Sequence, residues 1–180
     1  DERKIQLEIE FADNDGDLCF KLIQKAHEWM PDIISIWNIN FDMKVIIASL
    51  ERHGYDLARV FSDPSVPIHY QHFRYREGKA QKETASGKFM ALHPAEQWHT
   101  VECPATFYFL DAMCVYLKLR IAGGKEPSYK LDDILKKHGL DGKFRFEPAE
   151  HVKDGHWHRL MQEKYKAEYC VYNLIDSIAL

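Results

Sequence analysis

No stretch of this 180-residue sequence approaches the roughly 18 apolar residues of a membrane-crossing helix, and none reads as a signal peptide. A membrane partner is therefore not expected. There is no excess of positive charge either: 24 Lys and Arg stand against 28 Asp and Glu, a net charge of −4. A domain that grips duplex DNA with its whole surface is usually basic, so any nucleic-acid contact should be local, in a cleft or a loop. Four cysteines (Cys19, Cys103, Cys114, Cys170) never fall at C-x-x-C spacing. They read as reduced core thiols of a cytosolic protein. No internal repeat is present. Hydrophobic residues make up 46%, enough for one domain with a real core.

"KIQLEIEF" alternates strictly, with Ile5, Leu7, Ile9 and Phe11 on one face, and predicts a half-buried strand. After the turn "ADNDGD", the stripe Leu18, Leu22, Ile23, Ala26 and Trp29 predicts a helix that Pro31 ends. "DIISIW" is apolar and β-branched, as in a parallel strand covered on both faces. Residues 41–53 return to helix, with Val45, Ile46, Ser49 and Leu50 inward and Gly54 at the stop. Strand, helix, strand, helix is an α/β order. Residues 66–76 and 89–103 predict a β-hairpin around a long, mobile, basic tip. "ATFYFLD" is another buried strand, and Asp111 should cap the helix 112–121. "SYKLDDILKKHG" is a short helix between Ser128 and Gly139, and 155–180 make a long final helix.

Two short segments carry the candidate chemistry. In "WNINFD", a buried strand runs into Asn38, Asn40, Phe41 and Asp42. One reading is a helix cap, with Asn38 or Asn40 at the N-cap and Asp42 in the first turn. The other is half of a metal site, because ligands bind at the carboxyl ends of strands in open α/β sheets. In "YNLID", Tyr172 and Asp176 are one helical turn apart on one face. Val171, Leu174, Ile175, Ile178 and Ala179 leave little solvent face there, so Asp176 should turn toward an interior or a cleft. A buried carboxylate needs compensation, and a metal ion is one source. The histidine pairs His69/His72 and His156/His158 lack partner ligands and read as ordinary surface or core residues. Arg74, Arg76, Lys79, Lys82 and Lys88 surround the hairpin tip, as a solvated loop or a DNA contact.

Asn38-x-x-Phe41-Asp42 resembles the Exo II motif of family B DNA polymerases, and Tyr172-x-x-x-Asp176 resembles their Exo III motif. The approaches to both, "FADNDGDLCFKLIQKAHEWMPDIISIWNINFDMKVI" and "FYFLDAMCVYLKL…PSYKLDDILKKHG…GKF", are similar to tailed-phage polymerases, so the likeness covers nearly the whole chain. The resemblance implies a proofreading 3′–5′ exonuclease domain of the DEDDy class. Its fold would be a ribonuclease-H-like mixed sheet flanked by helices, with 66–103 an inserted β-hairpin. It implies two-metal hydrolysis with Mg²⁺ or Mn²⁺. Asp42 and Asp176 would be metal ligands and Tyr172 would orient the attacking water. Asn38 or Asn40, with Phe41, would contact the DNA 3′ end. Lys143 in "GKFRF" fits a lysine beside the scissile phosphate, or a solvated loop lysine. The implied partners are a single-stranded 3′ end or primer–template DNA, and a polymerase domain in the same chain. The implied location is a cytoplasm, that of a bacterial host if the gene is phage-borne.

The family also uses an Asp-x-Glu pair on its first strand, and this sequence contains none. Both ends look cut, so the expectation is a 1–180 fragment beginning after Exo I, nearly inactive alone and binding metal weakly or not at all. A stand-alone exonuclease, or a degenerate module that only binds DNA, are the alternatives.

Overall fold

Helix formation begins at Asn14, whose side chain accepts from the Asp17 amide at 2.9 Å. Asp15 and Asp17 then meet the positive end of the helix dipole. In the computed structural model, which describes residues 9–140, 146–149, 152 and 155–178 (backbone alone at 155, 176 and 178), this helix is α1, Asp15–Trp29. The chain then runs β1 (Ile33–Ile36), α2 (Ile39–Arg52), α3 (Leu57–Phe61), β2 (Arg74–Arg76), β3 (Gln81–Glu83), β4 (Phe89–Ala91), β5 (Thr100–Glu102), β6 (Tyr108–Asp111), α4 (Ala112–Arg120), α5 (Leu131–Lys137), α6 (Gly155–Lys164) and α7 (Lys166–Ile178). The fold is mixed α/β, with small sheets. It divides into two compact units, Asp1–Tyr116 and Leu117–Leu180.

In the first unit, β1 pairs in parallel with β6, from Ile33 opposite Tyr108 to Ile36 opposite Asp111. Both strands therefore stop at the same level, and each feeds a helix there. The remaining strands form two nested antiparallel pairs. β2–β5 is the neck of the hairpin and β3–β4 its tip. In the tip, Thr84 and Lys88 exchange backbone and hydroxyl hydrogen bonds across a turn that Gly87 closes at φ 75°. Across the neck, Arg74 and Arg76 both reach Glu102, at 3.6 and 3.2 Å, exposed pairs of small energetic weight.

The core lies where α1, α2 and α3 meet. Ile23, Ile39, Met43, Leu50 and Phe61 are fully buried, and Phe61 stacks on Phe73 at 4.3 Å and meets Phe109 edge-on. The buried faces match the periodicity in part: Ile23 on α1 and Ser49 and Leu50 on α2 are buried as expected, and Ile46 packs against the core. α1 buries Gly16, Cys19, Ile23 and His27, leaving Leu18, Leu22 and Trp29 exposed. Gly16 explains the choice, because a Cβ there would lie 2.7 Å from the His53 ring, so only glycine lets α2 come this close. α2 begins at Ile39, two residues before the expected start. Ile39 and Met43 enter the core in place of Val45, which is exposed. β1 is not covered on both faces: Ile33 and Ser35 are exposed. Residues 9–12 are not strand, and Ile9 and Phe11 are exposed. Instead Lys21 Nζ donates to the Phe11 carbonyl at 2.8 Å and Lys25 pairs with Glu10. The rest of that expected strand lies outside the described residues.

In the second unit, α5 starts at Leu131 after Lys130. The Ser128 hydroxyl closes a local turn on the Lys130 amide instead of capping the helix. Gly139, at φ 70°, ends it as expected. The expected long final helix is two helices, α6 and α7, parted at Tyr165. Trp157, His158, Tyr169 and Tyr172 form an aromatic cluster between them, and His158 Nδ1 lies 3.0 Å from the Tyr169 hydroxyl.

Urea unfolding separates the observed faces from the expected ones. Phe61→Ala should cost about 3–5 kcal/mol, the range for emptying a buried aromatic site. Val45→Ala should stay within about 0.5 kcal/mol, the range for surface substitutions.

Candidate functional site

At the level where β1 and β6 stop, the chain must leave two strands and start two helices. Each new helix presents amides without intrahelical partners. Asp111, the last residue of β6, is 3% exposed. Its Oδ1 accepts from the Cys114 amide at 3.1 Å, capping α4 as the sequence predicts. Its Oδ2 accepts from the Ile39 amide at 3.0 Å, so the same carboxyl also caps α2.

That second bond changes the reading of "WNINFD". Asn38 occupies the N-cap position, yet its side chain makes no cap hydrogen bond. Its backbone is left-handed, at φ 64° and ψ 65°, a region asparagine tolerates better than most residues. Asn38 makes the turn; Asp111 makes the cap. Asn40 is not a cap either. Its Oδ1 accepts from the Tyr75 hydroxyl at 2.9 Å, which ties the first turn of α2 to the neck of the hairpin. Phe41 points away from the core and is 66% exposed. Asp42 is half-buried in the first turn of α2, where the helix dipole favours an acid.

The groups around Asp111 are held neutral. Burial first, then the charges of Glu77 and Asp111, push the Tyr75 phenol up to about 12. Burial first, then Asp111, push the Cys114 thiol up to about 12, and its Sγ lies 3.6 Å from the Gln97 carbonyl. A thiol so held is no nucleophile near neutral pH. Cys103 rises to about 11 through burial alone, and burial raises Cys19 as well.

The remaining expected residues belong to the second unit or lie outside the described residues. Tyr172 is half-buried in α7, with its ring 5.1 Å from Trp157 and 6.0 Å from Tyr169. Asp176 is one turn further along the same helix, in the second unit, with only its backbone described; Asp42 belongs to the first unit. Lys143 lies outside the described residues. A divalent cation such as Mg²⁺ takes several oxygen ligands. Among the described residues no three His, Cys, Asp or Glu side chains gather to hold a metal. Of the two expected metal ligands, Asp42 alone has a described side chain, so the described residues supply one carboxylate toward such a centre.

No family model matches the chain, and no curated protein matches it.

The sequence reading missed Tyr75, His99 and the second bond of Asp111. Only the capping of α4 by Asp111 has a local signal, an acid directly before a helix. Removing the shared cap tests its weight. Asp111→Ala strands two buried amides and should cost about 2–4 kcal/mol in urea unfolding. Asn38→Ala removes no cap bond, so its cost should reflect only the left-handed turn, about 1 kcal/mol.

Proposed function

We propose that this chain is part of a 3′–5′ exonuclease domain of a family B DNA polymerase, on a ribonuclease-H-like fold. Three things support the reading: the order and spacing of the two motifs, their context along the chain, and the surroundings of the first motif. The observation that carries it is the exposed Phe41 ring beside Asp42, at the carboxyl end of a parallel strand. That ring offers a stacking surface to a frayed base, while the fixed turn at Asn38 sets its direction. Asn40 Oδ1 already accepts from Tyr75, whereas the Asn38 side chain makes no cap hydrogen bond, so Asn38 is the amide we assign to the substrate.

The hairpin tip adds a second contact. Lys79, Lys82 and Lys88 stand exposed on or beside β3 and β4, with Phe89 72% exposed among them. Lysines draw a phosphate backbone and an aromatic ring stacks on bases, which suits a single strand at a primer–template junction. In this reading divalent ions come with ligands beyond those described, and the polymerase active site lies in another part of the protein. No described helix is long and apolar enough to cross a membrane.

The test is degradation of a 3′-labelled, mismatched primer by the protein with its natural flanking sequence, with and without Mg²⁺ or Mn²⁺, beside primer extension. Tyr172→Phe keeps the ring against Trp157 and removes only the hydroxyl. Degradation should fall roughly 10- to 1000-fold, the range for losing a positioning contact or a preorganised hydrogen bond. Asp42→Ala and Asp176→Ala should fall further, and extension should survive all three. Unchanged degradation in Tyr172→Phe would make Tyr172 ordinary packing between α6 and α7. Tight binding of single-stranded DNA with no degradation under any metal would instead identify a binding module. Phe41→Ala should weaken capture of the 3′ end by about 1–3 kcal/mol, the value of one stacked base.

A further inference from the structure

His99, just before β5, is buried at the neck of the hairpin. Its Nδ1 accepts from the Gly78 amide at 3.1 Å and lies 3.1 Å from the Tyr75 hydroxyl. An amide can only donate, so Nδ1 carries no proton, and the ring is the neutral tautomer with its hydrogen on Nε2. The Tyr75 ring lies nearly parallel to the imidazole, and its hydroxyl reaches on to Asn40 Oδ1. Beside this chain, Lys44 of α2 pairs with Glu77 at 3.0 Å. Gly78 is required where it stands. A Cβ there would lie 2.6 Å from the Gln97 carbonyl carbon and 2.7 Å from the Trp98 nitrogen. The neck thus brings one amide against one imidazole nitrogen, with no room for a larger residue.

We infer that His99 is a proton-operated latch that, while neutral, closes the hairpin neck by accepting the Gly78 amide and, once protonated, releases that amide. A proton on Nδ1 would face the Gly78 amide donor to donor. Gly78 then loses its acceptor, while the Tyr75 hydroxyl, which already donates to Asn40 Oδ1, is free to accept from the charged ring. The groups facing the ring are Asp111 on β6 and Glu77 beyond β2, which favour the charged form, and Lys44 on α2, which opposes it. Burial is the largest influence and holds His99 below its ordinary value. Unfolded, the imidazole takes its proton near about pH 6.5; folded, it takes it lower. The closed neck therefore has its full stability above that range and loses it as pH falls through the range toward the folded value. The latch requires only these hydrogen bonds. Its bearing on a DNA end rests on the exonuclease reading, since Asn40 lies between Asn38 and Phe41.

The experiment is NMR on the intact chain from about pH 7.5 to about pH 5, the span in which histidine switches charge. It follows the ¹⁵N shifts of the His99 ring and the exchange of the Gly78 amide, corrected for intrinsic exchange and referred to amides in α1. The expected result is an unprotonated Nδ1 at the upper end. As the ring titrates, Gly78 protection should fall about 10-fold or more, the effect of losing one hydrogen bond. His99→Asn puts a non-titrating acceptor near the same place and should keep Gly78 protected at both ends. A protonated Nδ1 at the upper end, a ring that does not titrate in this span, or unchanged Gly78 protection while it titrates would each overturn the latch. So would a His99→Asn protein with the wild-type pH response. If that variant does not fold, the wild-type titration decides alone. None of these readouts needs nuclease activity, so latch and exonuclease reading fail separately.

Discussion

One carboxyl group organises the first unit. Asp111 ends β6, and its two oxygens are divided between the opening amides of α2 and α4. The parallel register makes this possible: Ile36 and Asp111 are cross-strand partners, so the two strand-to-helix junctions lie side by side. Two helix dipoles then point their positive ends at one acid, which is where an acid is most stabilised. The sharp turn at Asn38 follows from the same geometry. The chain must bring the Ile39 amide onto Asp111 within three residues of the strand end, and a left-handed residue is the short way to do it.

Element types were largely legible in the sequence because they rest on local signals. Asn14 caps α1 with its own side chain, Gly54 and Gly139 adopt the left-handed stop, and three of the four β1 residues are isoleucine. Element faces were less legible. On α1 the expected stripe was Leu18, Leu22, Ile23, Ala26 and Trp29; Ile23 is buried as expected, while Leu18, Leu22 and Trp29 are exposed. Packing selects the face that holds Gly16, because Gly16 lets His53 approach. Close approach depends on the smallest side chain, which a hydrophobic count ignores. The same holds for Val45 and Met43 on α2: the helix starts earlier than its apolar pattern suggests, because its cap comes from a residue 72 positions away.

The candidate site divides in the same way. Asn38, Asn40, Phe41 and Asp42 were singled out by their place at the end of an apolar strand and grouped as one motif by the family resemblance. What their neighbours do could not be read, since Tyr75 and His99 reach them only through the hairpin fold. Nothing in "FRYREGK" or "QWHT" marks a buried hydrogen-bond chain. The Asn40 side chain, a candidate for substrate contact by sequence, accepts from Tyr75 at its oxygen, a contact visible only in three dimensions.

The buried thiols have a practical corollary for chemistry on the intact molecule. Cys114 and Cys103 are held at about 12 and about 11 by burial, and Cys19 is buried in the core. Cys170, exposed on α7, stands apart from all three. Electrophiles react with thiolates they can reach, so a maleimide reagent under native conditions discriminates among four chemically identical side chains. The molecule carries a built-in attachment point for a fluorophore or spin label one residue from Tyr169 in the aromatic cluster of α6 and α7, with no engineered cysteine required.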